Sequence, residues 1–171
     1  MNYKEGLNKI TTFIFDVDGV LTNGDVILHN NGVIRTMNSR DGYAIQYAVK
    51  MGYLVLITTG GNSEEVKKRL LNLGVSEVIL SSQNKLKDYL MLQKKYNFKN
   101  EEVLYMGDDI PDYQVMKLVG VSACPQDAAT EIKHISDYQS PFLGGRHCVR
   151  DVIEQTLRNQ QKWFSESAFE W

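Results

Sequence analysis

Asp16 and Asp18 close the apolar run Phe13-Ile14-Phe15, with Val17 between them and Gly19 directly after. Residues two apart in an extended chain point to the same face, so both carboxylates can converge just past a strand end. Gly19 permits a sharp departure that a residue with a Cβ resists. Acids this close repel unless a cation or a proton lies between them. That pattern suggests a hard metal ion and a phosphorylated ligand.

Three further groups suit the same chemistry. Thr58-Thr59-Gly60-Gly61 reads as a hydroxyl and glycine turn entering a helix whose N-terminal N–H groups favour an anion. Lys85 places a compact positive charge on a flexible stem after the third strand of the predicted sheet. Gly107-Asp108-Asp109-Ile110-Pro111-Asp112 adds more acids after another strand. Oxygen ligands from two loops suit magnesium, which binds through one or two carboxylates plus phosphate. Each group also has a plainer reading: a turn, a solvated lysine, or a helix cap. Together, in this order and at strand ends, they favour chemistry.

The elements that position these residues alternate. Strands are expected at Thr12–Phe15, Tyr53–Thr58, Glu77–Leu80, Val103–Met106 and Val121–Ala123. Helices are expected at Gly42–Met51, Ser63–Leu73, Lys85–Tyr96, Asp112–Leu118, Asp127–His134 and Cys148–Trp163. This predicts a single α/β domain over 1–171, a three-layer Rossmann-like parallel sheet with helices on both faces. Ligands of such sheets gather at the strands' C-terminal ends, where all four groups fall. Asn62 with Glu65 resembles a capping box, and Gly74 and Gly120 sit where left-handed C-caps belong. Asp25–Asn38 breaks the alternation as a β-hairpin inserted after the first strand, turning at Asn31-Gly32. A lone hairpin is marginal in water, so it is either an ornament on the domain or an assembly element.

A net charge of -2 gives no global field for nucleic acid or an anionic membrane. Cys124 and Cys148 form no CxxC, and His29, His134 and His147 are scattered, which argues against zinc and against a disulfide-stapled secreted domain. With no signal-like segment and no membrane-spanning run, the expectation is a reduced, cytoplasmic protein.

The combined set resembles the haloacid dehalogenase superfamily of phosphotransferases. The resemblance implies that Asp16 is a nucleophile forming an aspartyl-phosphate, with Asp18 as acid and then base. It implies that Thr59, Gly60 and Lys85 hold the phosphoryl group, and that Asp16, the Asp18 carbonyl and Asp108 bind Mg2+. Asp109 and Asp112 would support that shell or orient Lys85.

A narrower likeness covers nearly the whole chain. Asp16–Thr22, Asn38–Tyr43, Ser82–Leu86, Met106–Asp109 and Gly144–Arg146 with Val149–Asp151 are similar to the capless 3-deoxy-D-manno-octulosonate 8-phosphate phosphatase family. That family acts in lipopolysaccharide sugar synthesis. No insertion here is large enough for a cap domain. The likeness implies a homotetramer with hairpins at its centre and subunits completing one another's sites. Two departures bear on the sugar: Gly61 replaces a frequent arginine, or the glutamate of a related nine-carbon phosphatase, and Gly144-Gly145-Arg146-His147 replaces Gly-Gly-x-Gly.

The leading expectation is therefore hydrolysis of that eight-carbon sugar phosphate, with Arg40, Arg146 and Arg150 as candidates for its carboxylate. The alternatives are a nine-carbon, sialic-acid-type 9-phosphate and a non-catalytic assembly module. A phosphomutase is disfavoured because an uncapped site is open to water. The aromatic tail 161–171 is expected to pack on a neighbouring subunit or near its site, the alternative being its own core.

Overall fold

The computed structural model describes residues 2–171. In chain order the strands are β1 (Thr12–Phe15), β2 (Ile27–His29), β3 (Gly32–Ile34), β4 (Leu54–Thr58), β5 (Glu77–Ile79), β6 (Val103–Met106), β7 (Val121–Cys124) and β8 (Tyr138–Gln139). The helices are α1 (Tyr3–Leu7), α2 (Ser39–Lys50), α3 (Glu64–Asn72), α4 (Lys85–Tyr96), α5 (Tyr113–Met116), α6 (Thr130–Ile135) and α7 (Cys148–Asn159). Six strands form a parallel sheet in the order β5-β4-β1-β6-β7-β8, and β2 with β3 form a separate antiparallel hairpin. Among the described residues, no helix is long and apolar enough to cross a membrane.

Alternation along the strands divides the core. Phe13, Phe15, Val55, Ile57, Leu104 and Met106 face residues of α2, α3 and α7. Ile14, Leu56, Val103 and Tyr105 face α4, α5 and α6 on the other side. Burial on both faces explains why these strands read as unbroken apolar runs. The three-layer α/β expectation holds.

Some boundaries moved for local reasons. Ser63, not Asn62, caps α3, its hydroxyl accepting from Val66 N. Gly74 does adopt the left-handed conformation at φ +90, whereas Gly120 does not; a Cβ there would collide with the Glu101 backbone. α2 begins at Ser39 because the Asn38 side chain accepts from Arg40 N and Asp41 N. The helix expected from Asp112 is split into a 3-10 turn, Ile110–Asp112, and the single turn of α5. β8 and α1 were too short for hydrophobic periodicity to reveal.

The tail folds back on its own chain. Trp163 lies edge-on to Tyr47 at 5.1 Å, and Trp171 meets Tyr43 at 5.6 Å. Tyr47 Oη donates to Lys162 O (3.0 Å), and Lys50 Nζ to Glu170 O (2.8 Å). Within the chain α2 offers two tyrosines to the tail indoles, while Phe164, Phe169 and Trp171 remain exposed.

Candidate active site

Strand register brings the chemical groups together. Phe15 pairs with Ile57 on one side and Met106 on the other, so Asp16, Thr58 and Gly107 follow side by side. Neighbouring strands are about 4.8 Å apart, within reach of short polar side chains. Asp16 N donates to Met106 O (3.1 Å), and its Oδ1 accepts from Val17 N (2.6 Å). The chain then turns through Val17–Leu21, closed by Thr22 N on Val17 O. Gly19 makes the turn possible twice over. Its φ is +84, and a Cβ would lie 1.9 Å from Asp108 Oδ2.

Lys85, the first residue of α4, reaches into this corner. Its Nζ lies 2.7 Å from Asp16 Oδ2 and 2.6 Å from Asp112 Oδ1. Asp112 is fully buried, and both its oxygens are engaged. Oδ1 also accepts from Tyr105 Oη (2.6 Å), while Oδ2 accepts from Asp108 N (3.2 Å) and Asp109 N (3.4 Å). Asp112 is therefore what orients Lys85. Asp109 instead caps the 3-10 turn, its exposed carboxylate accepting from Ile110 N (2.8 Å).

Charge in this corner is out of balance. Burial raises the Asp16 pKa to about 6, helped by Asp112 and opposed by Lys85 and the Val17 N–H. Burial, with repulsion from Asp16 and Asp112, raises Asp108 to about 8. Burial opposes the charge of Lys85, but Asp16 and Asp112 outweigh it and lift its pKa above the ordinary value. Carboxylate oxygens of Asp16, Asp108 and Asp112 lie within 4.8 Å of one another. Asp112 already accepts two hydrogen bonds on each oxygen, whereas Asp16 takes one contact on each, so Asp16 and Asp108 have the most acceptor capacity left for a cation. Oxygen donors around uncompensated negative charge fit a hard divalent ion.

Thr59 is buried beside this corner, anchored by Thr59 N on Ile79 O and Ser82 N on Thr59 O. Its hydroxyl accepts from Gly61 N (3.1 Å), and Gly60 is exposed at the rim. The loop 60–62 separates Thr59 from α3, which begins at Glu64 behind the Ser63 cap, close to the expected start at Ser63. The Asp18 carboxylate stands apart from the Asp16–Asp108–Asp112 cluster. Arg35, directly after β3, grips it through Nε to Oδ1 (2.6 Å) and Nη2 to Oδ2 (3.0 Å). Sequence reasoning missed Arg35, because no spacing rule ties a hairpin residue to a strand end seventeen positions earlier.

The arginine candidates fare differently. Arg40 is exposed at the start of α2. Arg150 lies over the rings of Tyr43 (5.8 Å) and Trp163 (5.5 Å) and pairs with Glu154 (3.3 Å). Both line a surface cavity of about 740 Å³ with Phe142, His147 and Arg158, and none of the site carboxylates reaches it. Within the chain, the structure does not bring Arg40 or Arg150 to Asp16. Arg146 is exposed, but its loop backs the site: a Cβ on Gly144 would lie 2.0 Å from Gly19 O. Asp41, inside the same Asn38–Tyr43 segment, is structural, accepting from His147 N (3.2 Å) and Arg150 N (2.8 Å) at the start of α7.

Known proteins share this arrangement. A family model for haloacid dehalogenase-like hydrolases matches residues 74–143. The chain is 37% identical over 155 residues to 3-deoxy-D-manno-octulosonate 8-phosphate phosphatase KdsC of Escherichia coli (strain K12), covering 90% of this chain and 82% of that protein. The crystal structure of the Yersinia pestis phosphatase superposes with a TM-score of 0.90 at 32% identity, covering 93% of this chain and 86% of that one. The Moraxella catarrhalis phosphatase, solved with a magnesium ion, a phosphate ion and a KDO molecule, gives a TM-score of 0.92 at 30% identity, covering 99% and 97%. The strand-end carboxylates, the buried lysine and this likeness along nearly the whole chain agree: the protein belongs to the 3-deoxy-D-manno-octulosonate 8-phosphate phosphatase family of haloacid dehalogenase-like hydrolases.

Proposed function

We propose that this protein hydrolyses 3-deoxy-D-manno-octulosonate 8-phosphate to the free sugar and phosphate, acting as one catalytic unit without a cap. The observation that carries the reading is the Lys85 ammonium held between Asp16 and Asp112 at the strand ends. It leaves Asp16 fixed and partly neutralised, alongside the strand that leads into Thr59, where a phosphoryl group needs a nucleophile.

In this reading an Asp16 oxygen attacks phosphorus as the bond to the sugar oxygen breaks, and Asp18 gives its proton to the departing alkoxide. Asp18, now a carboxylate, takes a proton from water. The resulting hydroxide attacks phosphorus, releasing phosphate and restoring Asp16. Thr59, Gly60 and Lys85 hold the phosphoryl oxygens, and Asp112 keeps Lys85 aimed. Asp16, the Asp18 carbonyl and Asp108 would hold Mg2+, which when bound neutralises phosphoryl charge that would repel the nucleophile.

The exposed apolar hairpin residues Val26, Ile27, Leu28, Val33 and Ile34 support a homotetramer built around the hairpins. The free cysteines fit a cytoplasmic setting. Phosphate release across ulosonate phosphates, with and without magnesium, tests the whole reading. Highest kcat/KM on the eight-carbon substrate is expected. A preference for the nine-carbon 9-phosphate would reassign the sugar, and no release from any of them would remove the activity.

A further inference from the structure

The geometry points to Arg35 as the positioning residue for the Asp18 carboxylate, which makes the base of the hairpin part of the acid–base machinery. The inference rests on the role proposed for Asp18 above. Although every residue of β2 and β3 is exposed, the Arg35 side chain is only 10% exposed, because it turns inward from the strand end. Its fork on both Asp18 oxygens fixes the carboxylate's place and its plane together. Among the described residues, the other side-chain hydrogen bond to Asp18 is a long one from Thr22 Oγ1, at 3.4 Å. Asp16 is held by Lys85 and its own turn; Asp18 is held by the hairpin.

Gly61 shows what the fork faces. A Cβ at that position would lie 3.3 Å from Arg35 Nη2, 3.4 Å from Thr59 Oγ1 and 3.5 Å from Asp18 Oδ2. Arg35, Thr59 and Asp18 thus converge at Gly61, close enough that a side chain there would crowd all three. Nη1 of Arg35 has no hydrogen-bond acceptor among the described residues, while Nε and Nη2 steady Asp18. A groove of about 600 Å³ runs between the hairpin and the start of α3, lined by His29, Arg35, Asn62 and Ser63.

The test compares two leaving groups. p-Nitrophenolate departs without a proton, whereas a sugar alkoxide needs one from Asp18. Arg35→Ala should lower kcat/KM for 3-deoxy-D-manno-octulosonate 8-phosphate about 10–100-fold through kcat, and that for p-nitrophenyl phosphate by less than about threefold. Arg35→Lys, which keeps the charge without the fork, should fall between. Guanidinium ion should partly rescue Arg35→Ala. Equal losses on both substrates, or a loss carried by KM alone, would overturn the inference. Asp18→Asn run alongside separates the two ideas: if it too ignores the leaving group, the acid role of Asp18 fails. If it discriminates and Arg35→Ala does not, only Arg35 is misassigned. Melting curves and light scattering on both Arg35 variants establish that the hairpin and assembly survive.

Discussion

The acid corner and the hairpin are built on opposite principles. In the corner, residues from β1, β6, α4 and the turn before α5 brace one another, and Asp112 accepts hydrogen bonds on both oxygens at zero exposure. The hairpin has only three-residue strands, all exposed, with Leu28 at 82%. Its polar tie to the site is the Arg35–Asp18 fork. Asp16, the proposed nucleophile, therefore sits where the parallel sheet is buried. Asp18, the proposed acid–base group, is gripped from an element that cannot stabilise itself alone. One carboxylate stands at the C-terminal ends of interior strands, and the other leans on the insertion.

Four experiments break or sharpen that contrast, from the largest effect down. Asp16→Asn should abolish phosphate release while leaving the melting curve close to wild type, since it keeps shape but removes the nucleophile. Turnover near the wild-type rate would dissolve the corner's claim to the chemistry. Lys85→Ala should lose most activity and destabilise the fold by about 3–5 kcal/mol, because it strands Asp16 and Asp112 in a buried site. Lys85→Arg should lose less on both counts. Equal denaturation midpoints for the two variants would show that the corner is not braced by charge.

The third experiment uses pH. Folding raises the pKa of Asp16 to about 6 and of Asp108 to about 8, so the metal-free folded protein keeps protons that the unfolded chain has released. Stability in chelator should therefore fall as pH rises from about 4 toward 8. Asp108→Asn should flatten part of that slope, and magnesium should raise the melting temperature most near pH 8. A flat or rising profile in chelator would contradict the charge imbalance. The smallest effect on the single chain belongs to the hairpin. Leu28→Asp should change subunit stability by less than about 0.5 kcal/mol yet shift light scattering toward smaller species. An unchanged assembly would make the hairpin an ornament.

Much of the corner was legible before folding. Asp16, Thr59, Lys85 and Asp108 each follow a strand or open a helix, and parallel strands in register must bring such positions to one edge. The division of labour between Asp109 and Asp112 was not legible. Both are acids in one short segment, and only the 3-10 turn points one outward and the other at Lys85. The placement of Arg40 and Arg150, away from Asp16 within the chain, was not legible either. Arginine chemistry suits a carboxylate anywhere, and nothing local records that Arg150 is occupied by Tyr43, Trp163 and Glu154.

By itself the sequence determined the alternating α/β order, the strand-end acids, the hairpin and the family to which they point. Those features rest on local periodicity, turn chemistry and short spacing, which need no distant partner. Only the tertiary structure decided that the tail lies on α2, that Asp41 caps α7 across 106 positions, and that Arg35 grips Asp18. Such contacts join segments far apart in the chain. Their partners are selected by packing and by the need to satisfy buried charge, and neither leaves a fixed spacing in the sequence.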